Sequence, residues 1–319
     1  MEALGTLIQK LSSPRKIVIT THVKPDADAL GSSLGLSNYL IKKGHEVTVI
    51  TPSDYPYFLT WMKGNDQVLD FSKEGDHKKA LGKLENAELI FCLDFSVLNR
   101  VNELGELIRQ SKAFVVNIDH HQDPEDFAQF RLWSTAAAAT CELVYELIVE
   151  LGDKNLIDKH IAACLYAGIM TDTGGFRHPN TTKNVHLVVA ELLEAGADAT
   201  AIANLIYDSN SLNRLKFIGF AITKRLVLRE DLQLAYFVIS KKDLKIYQSQ
   251  TGDTEGLVNY ALSLDGVKLA ALFSEREDGV KISFRSSVDV AVNKFAAAHF
   301  GGGGHKNASG GRFSSGSLA

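Results

Sequence analysis

The first half of the chain is written as short apolar runs, each of which stops at a side chain able to bind a metal. Ile17-Val18-Ile19 reads as a buried strand that hands over, through Thr20-Thr21-His22-Val23-Lys24-Pro25-Asp26-Ala27-Asp28, to a helix with Leu30, Leu34, Ser37, Leu40 and Ile41 at helical spacing. Gly44 stands where that helix would be capped, and the β-branched run Glu46-Val47-Thr48-Val49-Ile50 follows, which completes a βαβ unit. The stretch 52–83 shows no firm periodicity. Two further buried strands are expected at Leu89–Leu93, stopping at Asp94, and at 114–118, stopping at Asp119-His120-His121. Strands that are apolar at nearly every position belong to parallel sheets covered on both faces, and such sheets gather ligands outside the carboxyl ends of their strands. Asp26, Asp28, Asp94 and His120 can therefore converge although they are distant in sequence.

Helical patterns come next. Residues 140–151 bring Leu143, Val144, Leu147, Ile148 and Leu151 to one face, and 158–170 do the same with Ile161, Ala162, Leu165, Tyr166 and Ile169. The second pattern ends at Thr171-Asp172-Thr173-Gly174-Gly175, a carboxylate at the end of a buried element beside glycines that let a ligand approach the backbone. Residues 181–195 read as a capped helix closed by Gly196, with Val185, Val188, Val189 and Leu192 inward. A longer, partly basic helical pattern over 212–228 reads as a connector between domains. Beyond it 232–239, 267–273 and 280–286 are strand-like, with Glu277-Asp278-Gly279 as a hairpin turn. Residues 288–300 are helical, with Val292, Phe295, Ala296 and Phe300 available for packing. That helix runs into Gly301-Gly302-Gly303-Gly304-His305-Lys306-Asn307-Ala308-Ser309-Gly310-Gly311, ahead of a last strand near Arg312-Phe313. Four successive glycines cost too much backbone entropy to serve as packing. That leaves a loop cradling an anion, favoured by the His305 and Lys306 that follow at once, or a flexible linker.

Composition narrows the partners. A chain of 319 residues, 45% hydrophobic and 23% charged, can build two domains with proper cores. Lys plus Arg of 34 against Asp plus Glu of 38 gives a net charge of -4, so the whole-chain basic excess of a binder of long nucleic acid is missing; a short anion at a local site remains allowed. Cys92, Cys141 and Cys164 are isolated and odd in number, which fits reduced thiols packed as small apolar residues. No basic stretch leads into an apolar run at the N-terminus, and no apolar segment approaches the ~18 residues of a membrane span. The expected location is the cytoplasm.

The metal-ligating side chains change the picture most. His22, Asp26 and Asp28 crowd an imidazole and two carboxylates into one loop, and close anionic groups repel unless a cation or a proton separates them. Capping a helix is an ordinary job for Asp26 or Asp28, but it accounts for only one of these groups. With Asp94, His120 and Asp172 the set comprises two imidazoles and four carboxylates, able to hold two divalent ions if one carboxylate bridges. Asp94, alone at the end of a middle strand, is the expected bridge. Mixed nitrogen and oxygen donors suit Mn²⁺ better than Mg²⁺, with Co²⁺, Fe²⁺ and Zn²⁺ as alternatives. Singly, each residue has a plainer reading: Asp94 as a turn former, Asp172 as a helix terminator, His120 as a core histidine. Six such readings at once are a poor account of the set.

Asp119-His120-His121, together with His22-x3-Asp26-x-Asp28, Asp94 and Asp172, resembles the DHH phosphoesterase superfamily. Gly302-Gly303-Gly304-His305, preceded by Phe284-Arg285-Ser286, resembles its DHHA1 substrate-binding domain. The resemblance covers essentially the whole chain, and the two-domain size is most similar to the nanoRNase (oligoribonuclease) and 3'-phosphoadenosine 5'-phosphate (pAp) phosphatase branch. Ala27 stands where the family often has glycine and Ser309 where alanine is common, and neither is a ligand. The implied fold is α/β: a parallel-sheet DHH domain over 1–205, a helical connector over 206–228 and a smaller α/β DHHA1 domain over 229–319. One ion would take His22, Asp26 and Asp94, and the second Asp28, Asp94, His120 and Asp172, with Asp119 orienting a histidine. His121, beside a ligand but free of metal, would contact the phosphate or protonate the leaving oxygen, a structural hydrogen bond being the plainer reading. Arg285, Gly303, Gly304 and His305 would bind substrate from the second domain, and Arg177 and His178 from the first. For Arg177 a surface salt bridge is an equal reading.

The implied activity is two-metal hydrolysis of oligoribonucleotides of roughly two to five residues to mononucleotides, and of pAp to AMP, with neither long nucleic acid nor a membrane as partner. A cyclic-dinucleotide phosphodiesterase, an inorganic pyrophosphatase and a nucleotide-binding regulator with a vestigial site are the alternatives. The glycine-rich tail does not resemble the pyrophosphatase C-terminal domain, and a regulator would be marked by a lost ligand, whereas all six stand. The oligomeric state is open, a homodimer being one option.

Overall fold

In the computed structural model, which describes residues 2–277, 279–287 and 289–313, the chain divides into two units, Met1–Ser209 and Asn210–Ala319. The first runs α1 (Glu2–Leu11), β1 (Lys16–Thr21), α2 (Ala27–Lys42), β2 (Glu46–Thr51), β3 (Leu69–Asp70), α3 (Glu74–Glu85), β4 (Leu89–Leu93) and α4 (Glu103–Gln110). It continues with β5 (Phe114–Asp119), β6 (Phe130–Trp133), α5 (Thr140–Glu150), α6 (Lys159–Asp172), α7 (Lys183–Glu194) and α8 (Ala199–Tyr207). The strands form a wholly parallel sheet in the order β3-β2-β1-β4-β5-β6.

The apolar runs are continuous because both faces of this sheet are covered. Ile17 and Ile19 of β1, with Leu89, Phe91 and Leu93 of β4, enter a core shared with α2, α5 and α6. Val18, Ile90 and Cys92 turn the other way, against Ala80 and Leu84 of α3 and Leu104 and Ile108 of α4. The chain builds outward from β1 to β3 and then returns to lay β4 on the other side of β1, so the strand order reverses between β1 and β4. Loops leaving the carboxyl ends there diverge and open a crevice, which in open α/β sheets is where ligands bind.

Glycines line the seam where helices α2 and α6 pack together. Gly31 lies against the carbonyl of Cys164, a Cβ on Gly35 would come within 2.7 Å of the Leu165 side chain, and one on Gly168 would come within 2.7 Å of Asp28 Oδ1. The seam thus carries Asp28 near one end of α2 and Asp172 at the last position of α6.

The second unit comprises α9 (Leu212–Phe220), β7 (Leu226–Arg229), β8 (Leu234–Ile239), α10 (Lys241–Ile246), α11 (Leu257–Leu262), β9 (Leu269–Arg276), β10 (Gly279–Ser286), α12 (Val292–Phe300), β11 (Gly303–His305) and β12 (Ala308–Phe313). Its sheet runs β11-β12-β10-β9-β8-β7 and is antiparallel except for the β8–β9 pair. Strand alternation again divides the core. Ala235, Phe237, Ile239, Ala270 and Leu272 pack with α9 and α11, and Ala271, Ile282 and Phe284 pack with α12. No described helix of the chain is long and apolar enough to cross a membrane.

Several expectations change. The 52–83 stretch contains β3 and most of α3, and α3 escapes a periodicity reading because Ala80 and Leu84 are its only buried residues. The helical pattern over 212–228 stops at Phe220, passes through a π turn at Ala221–Arg225 and becomes β7. Arg225 is clamped to Asp243 through two hydrogen bonds of 3.0 and 2.8 Å, and Leu226–Arg229 then pairs with β8, so tertiary pairing overrides local propensity. Of the helically spaced residues of α2, Leu30, Leu34 and Leu40 are buried, whereas Ile41 is 52% exposed. The glycine run does serve backbone packing, contrary to the entropy argument. Gly301 caps α12 at φ +54°, Gly302 abuts the carbonyl of Gly310, and Gly304 at φ +131° comes so close to the Ala308 carbonyl that a Cβ would stand 2.8 Å from it. In the expected hairpin turn and final helix, Asp278 and Val288 lie outside the described residues.

Gly168→Ala should force a methyl between Asp28 and Cys141, an overpacking that costs about 1–3 kcal/mol and displaces a carboxylate of the crevice. A thermal melt is expected to show a lower Tm together with weaker divalent-ion binding; a variant with the parental values for both would refute the seam as a constraint on the site.

Candidate metal centre

β1 runs out at Thr21, and the following turn delivers three side chains in succession. Asp26 is the N-cap of α2, its Oδ1 accepting the backbone N–H groups of Asp28 and Ala29 at 3.0 Å each. The same carboxylate still places an oxygen within 4.8 Å of a His22 nitrogen and an Asp94 oxygen. Capping and clustering are thus done by one residue. His22 donates from Nδ1 to the carbonyl of Val23 at 2.9 Å, which turns Nε2 toward Asp94 Oδ2 at 3.4 Å.

Asp28 is fully buried and is held by the start of α5, where Thr140 N–H donates to Oδ2 at 2.7 Å and Cys141 N–H to Oδ1 at 2.9 Å. A helix N-terminus favours a carboxylate. Even so, burial and then the charge of Asp94 push its carboxyl up to about 7. Asp94 follows β4 with φ +65°, a left-handed conformation that costs a non-glycine residue about 1–3 kcal/mol. The bend is tied on both sides by buried Asn117, whose amide donates to the carbonyls of Cys92 at 3.1 Å and Phe95 at 3.0 Å. Thr140 Oγ1 donates to Asp94 Oδ1 at 2.9 Å. Burial opposes the charge of Asp94, but hydrogen bonds from His120 and His22 outweigh it and keep the carboxyl well below its ordinary range.

His120 closes the cluster. Its Nε2 stands 3.4 Å from Asp94 Oδ1, 3.4 Å from Asp172 Oδ2 and 3.6 Å from Asp28 Oδ2. Burial would depress this imidazole, yet the Asp94 hydrogen bond and the charges of Asp94, Asp172 and Asp28 raise it well above its usual value. Asp172 is raised by burial and then by the charges of Asp28 and Asp26. Beside them Asp119 Oδ1 accepts from His121 Nδ1 at 2.8 Å, and that nitrogen is 3.7 Å from Asp94 Oδ1. The structure therefore brings His22, Asp26, Asp28, Asp94, Asp119, His120, His121 and Asp172 into one crevice.

These residues fit divalent ions on their own chemistry. Donor atoms of His22, Asp26 and Asp94 lie within 4.8 Å of one another, as do those of Asp28, Asp94 and His120, and Asp94 is common to both groups. Both histidines turn Nδ1 to a backbone carbonyl, Val23 for His22 and Ala137 at 3.4 Å for His120, the arrangement that presents Nε2 as a ligand.

Among the expected substrate contacts, Arg177 and His178 of the first unit are exposed. Arg177 Nε donates to the carbonyl of Gly174 at 2.6 Å, while His178 sits with Nδ1 3.4 Å from the carbonyl of Asp172. In the second unit Arg285 of β10 and His305 of β11 are both paired with Ala308 of β12, so they occupy one face of that sheet; Gly303 and Gly304 precede His305 on β11. Three residues of the crevice were not singled out from sequence for the site: Asn117, Thr140 and Trp133. The last ends β6 and donates its indole N–H to the carbonyl of His121 at 2.6 Å.

Residues 16–169 match the DHH family, N-terminal domain, and residues 236–318 match the DHHA1 domain. A bifunctional oligoribonuclease and PAP phosphatase NrnA of Thermus thermophilus is 32% identical, over 97% of this chain and 87% of that protein. The chain belongs to the DHH/DHHA1 phosphoesterase family. The Bacillus subtilis protein of the same name is 28% identical over 95% of this chain and 91% of its own length. The crystal structure of an exopolyphosphatase-related protein from Bacteroides fragilis superposes with a TM-score of 0.91 at 35% identity, covering 99% of this chain and 92% of that one. Asp172 lies just beyond the matched DHH segment and enters the crevice through the length of α6.

With ions removed by a chelator, Asp28, Asp172, His22 and His120 all bind protons more tightly folded than unfolded. Stability from such raised groups is complete below their unfolded pKa values and is lost as pH rises through the folded ones. Asp94 works in the opposite sense: its contribution is present above the ordinary carboxylate value and is lost only as pH falls through its depressed one. The Tm of the chelated protein should therefore fall as pH rises above the ordinary carboxylate range and through the value of about 7 at Asp28, and Mn²⁺ should restore it at the alkaline end. A chelated Tm that is flat or rising across this range would contradict these shifts.

Proposed function

We propose that the chain is a two-metal phosphoesterase that releases mononucleotides from very short oligoribonucleotides and converts pAp to AMP. The observation that carries this reading is Asp94, one buried carboxylate shared by two separate nitrogen and oxygen donor groups. Full-length similarity to proteins named for both activities supports the substrate class.

In this reading His22, Asp26 and Asp94 hold one ion, and Asp28, Asp94, His120 and Asp172 the other, with Mn²⁺ favoured by the mixed donors. Bound there, two divalent ions supply Lewis-acid stabilisation of phosphoryl charge and acidify water for in-line displacement. Asp119 fixes the ring of His121 through Nδ1, which leaves Nε2 as the group that contacts the phosphate or protonates the leaving oxygen. In the second unit Arg285, His305 and the Gly303 and Gly304 amides are the donors for a substrate phosphate, and in the first Arg177 and His178 are the substrate contacts. Domain roles follow the same division, with metal binding in 1–205, a connector in 206–228 and substrate binding in 229–319. Three unpaired, buried cysteines support a reducing cytoplasmic setting, and a homodimer is the assembly to test.

Net charge sets the length preference. At -4, and with phosphate donors grouped around Arg285 and His305, the protein gains little from phosphates beyond the first few. In a Mn²⁺-supplemented digest kcat/KM should peak for RNA of roughly two to five nucleotides and fall for one of about 24, with pAp also hydrolysed. Faster cleavage of cyclic di-AMP, or of pyrophosphate alone, would overturn the proposal in favour of those activities.

A further inference from the structure

We propose that Trp133 is the stacking platform for the base of the nucleotide whose phosphate is held at the metal centre. This rests on the phosphoesterase reading and assigns a substrate-contacting residue to it.

In the parallel sheet, β1, β4 and β5 each deliver site residues from their carboxyl ends. The edge strand β6 runs the same way, and its last residue is Trp133, in register with Asp119. The indole N–H donates to the carbonyl of His121 at 2.6 Å, so the ring touches the backbone of the residue whose imidazole is bonded to Asp119. The metal cluster has no use for an indole. Trp133 is nevertheless 41% exposed, whereas Trp61, the second of the two tryptophans, packs against the main core. With its one polar atom satisfied, what Trp133 presents to solvent is apolar π surface, anchored at one edge. An anchored ring loses little rotamer freedom when a ligand stacks on it. Base stacking on an aromatic side chain tolerates every base, which suits an enzyme that must accept any short RNA and an adenine nucleotide alike.

The hydrogen bond also admits a purely structural role, that of positioning His121, and two substitutions separate the two. Trp133→Phe keeps an aromatic face and removes the N–H, while Trp133→Ala removes both. Each variant and the parent protein would be assayed on pAp and on ribose 3',5'-bisphosphate, which offers the same phosphates without a base. Stacking predicts that Trp133→Ala raises KM for pAp about tenfold with kcat and the KM for the abasic compound unchanged, and that Trp133→Phe stays within about twofold of the parent on both. Equal losses on the two substrates, a Trp133→Phe variant as impaired as Trp133→Ala, or no change at all would overturn the proposal. A binding measurement decides the point independently of turnover. In Trp61→Phe protein Trp133 is the sole tryptophan, and AMP should quench its emission where ribose 5-phosphate does not. If the parent hydrolyses neither bisphosphate the phosphoesterase reading fails, and this quench still decides the stacking; emission unaffected by AMP would overturn it.

Discussion

Carboxylates withdrawn from water beside one another are the constraint on which the first unit depends. Asp28, Asp94 and Asp119 are at most 2% exposed, and Asp26 and Asp172 close around them. Burying even one such charge is costly unless it is paired, and several together must be relieved by protons or by cations. The protein supplies partial relief of its own: the first N–H groups of α5 for Asp28, the Thr140 hydroxyl for Asp94, and His120 facing three carboxylates at once. One imidazolium offsets one charge. Divalent ions in the two donor groups would offset the remainder, and they are the relief that also provides chemistry.

Much of the surrounding architecture follows from keeping those groups close. The reversal of strand order between β1 and β4 opens the crevice into which His22, Asp26, Asp28 and Asp94 project. The left-handed backbone at Asp94 is a strain that the Asn117 amide compensates by binding the chain before and after it. The glycine seam between α2 and α6 lets Asp28 lie against Gly168 at the point where α6 leads on to Asp172. Core packing and site geometry are therefore one structure here, so a change in helix spacing is felt as a change in ligand position.

The parts legible from sequence are those with a local signature. Apolar runs ending in Asp or His announced the parallel strands and the residues at their carboxyl ends, since burial on both faces leaves no other pattern for such strands. The short β3 and the sparsely apolar α3 left too little periodicity to read, and β7 is dictated by pairing with β8 against a helical local pattern. Asn117 and Thr140 were hidden for another reason. Their roles are hydrogen bonds to residues more than twenty positions away, with nothing nearby in sequence to mark them. The packing role of the glycine run is invisible in sequence because the backbone neighbours that require it, Gly310 and Ala308, close on it only in the folded sheet.

Asp94, common to both donor groups, is where the proposed metal centre is tested most directly. Asp94→Asn preserves size and can still accept from Thr140, so the crevice should keep its shape while the shared charge is lost. Metal content measured after equilibration with Mn²⁺ should fall for both ions in this variant, whereas Asp172→Asn should lose chiefly one. An Asp94→Asn protein that retains two full equivalents would contradict the shared-carboxylate centre.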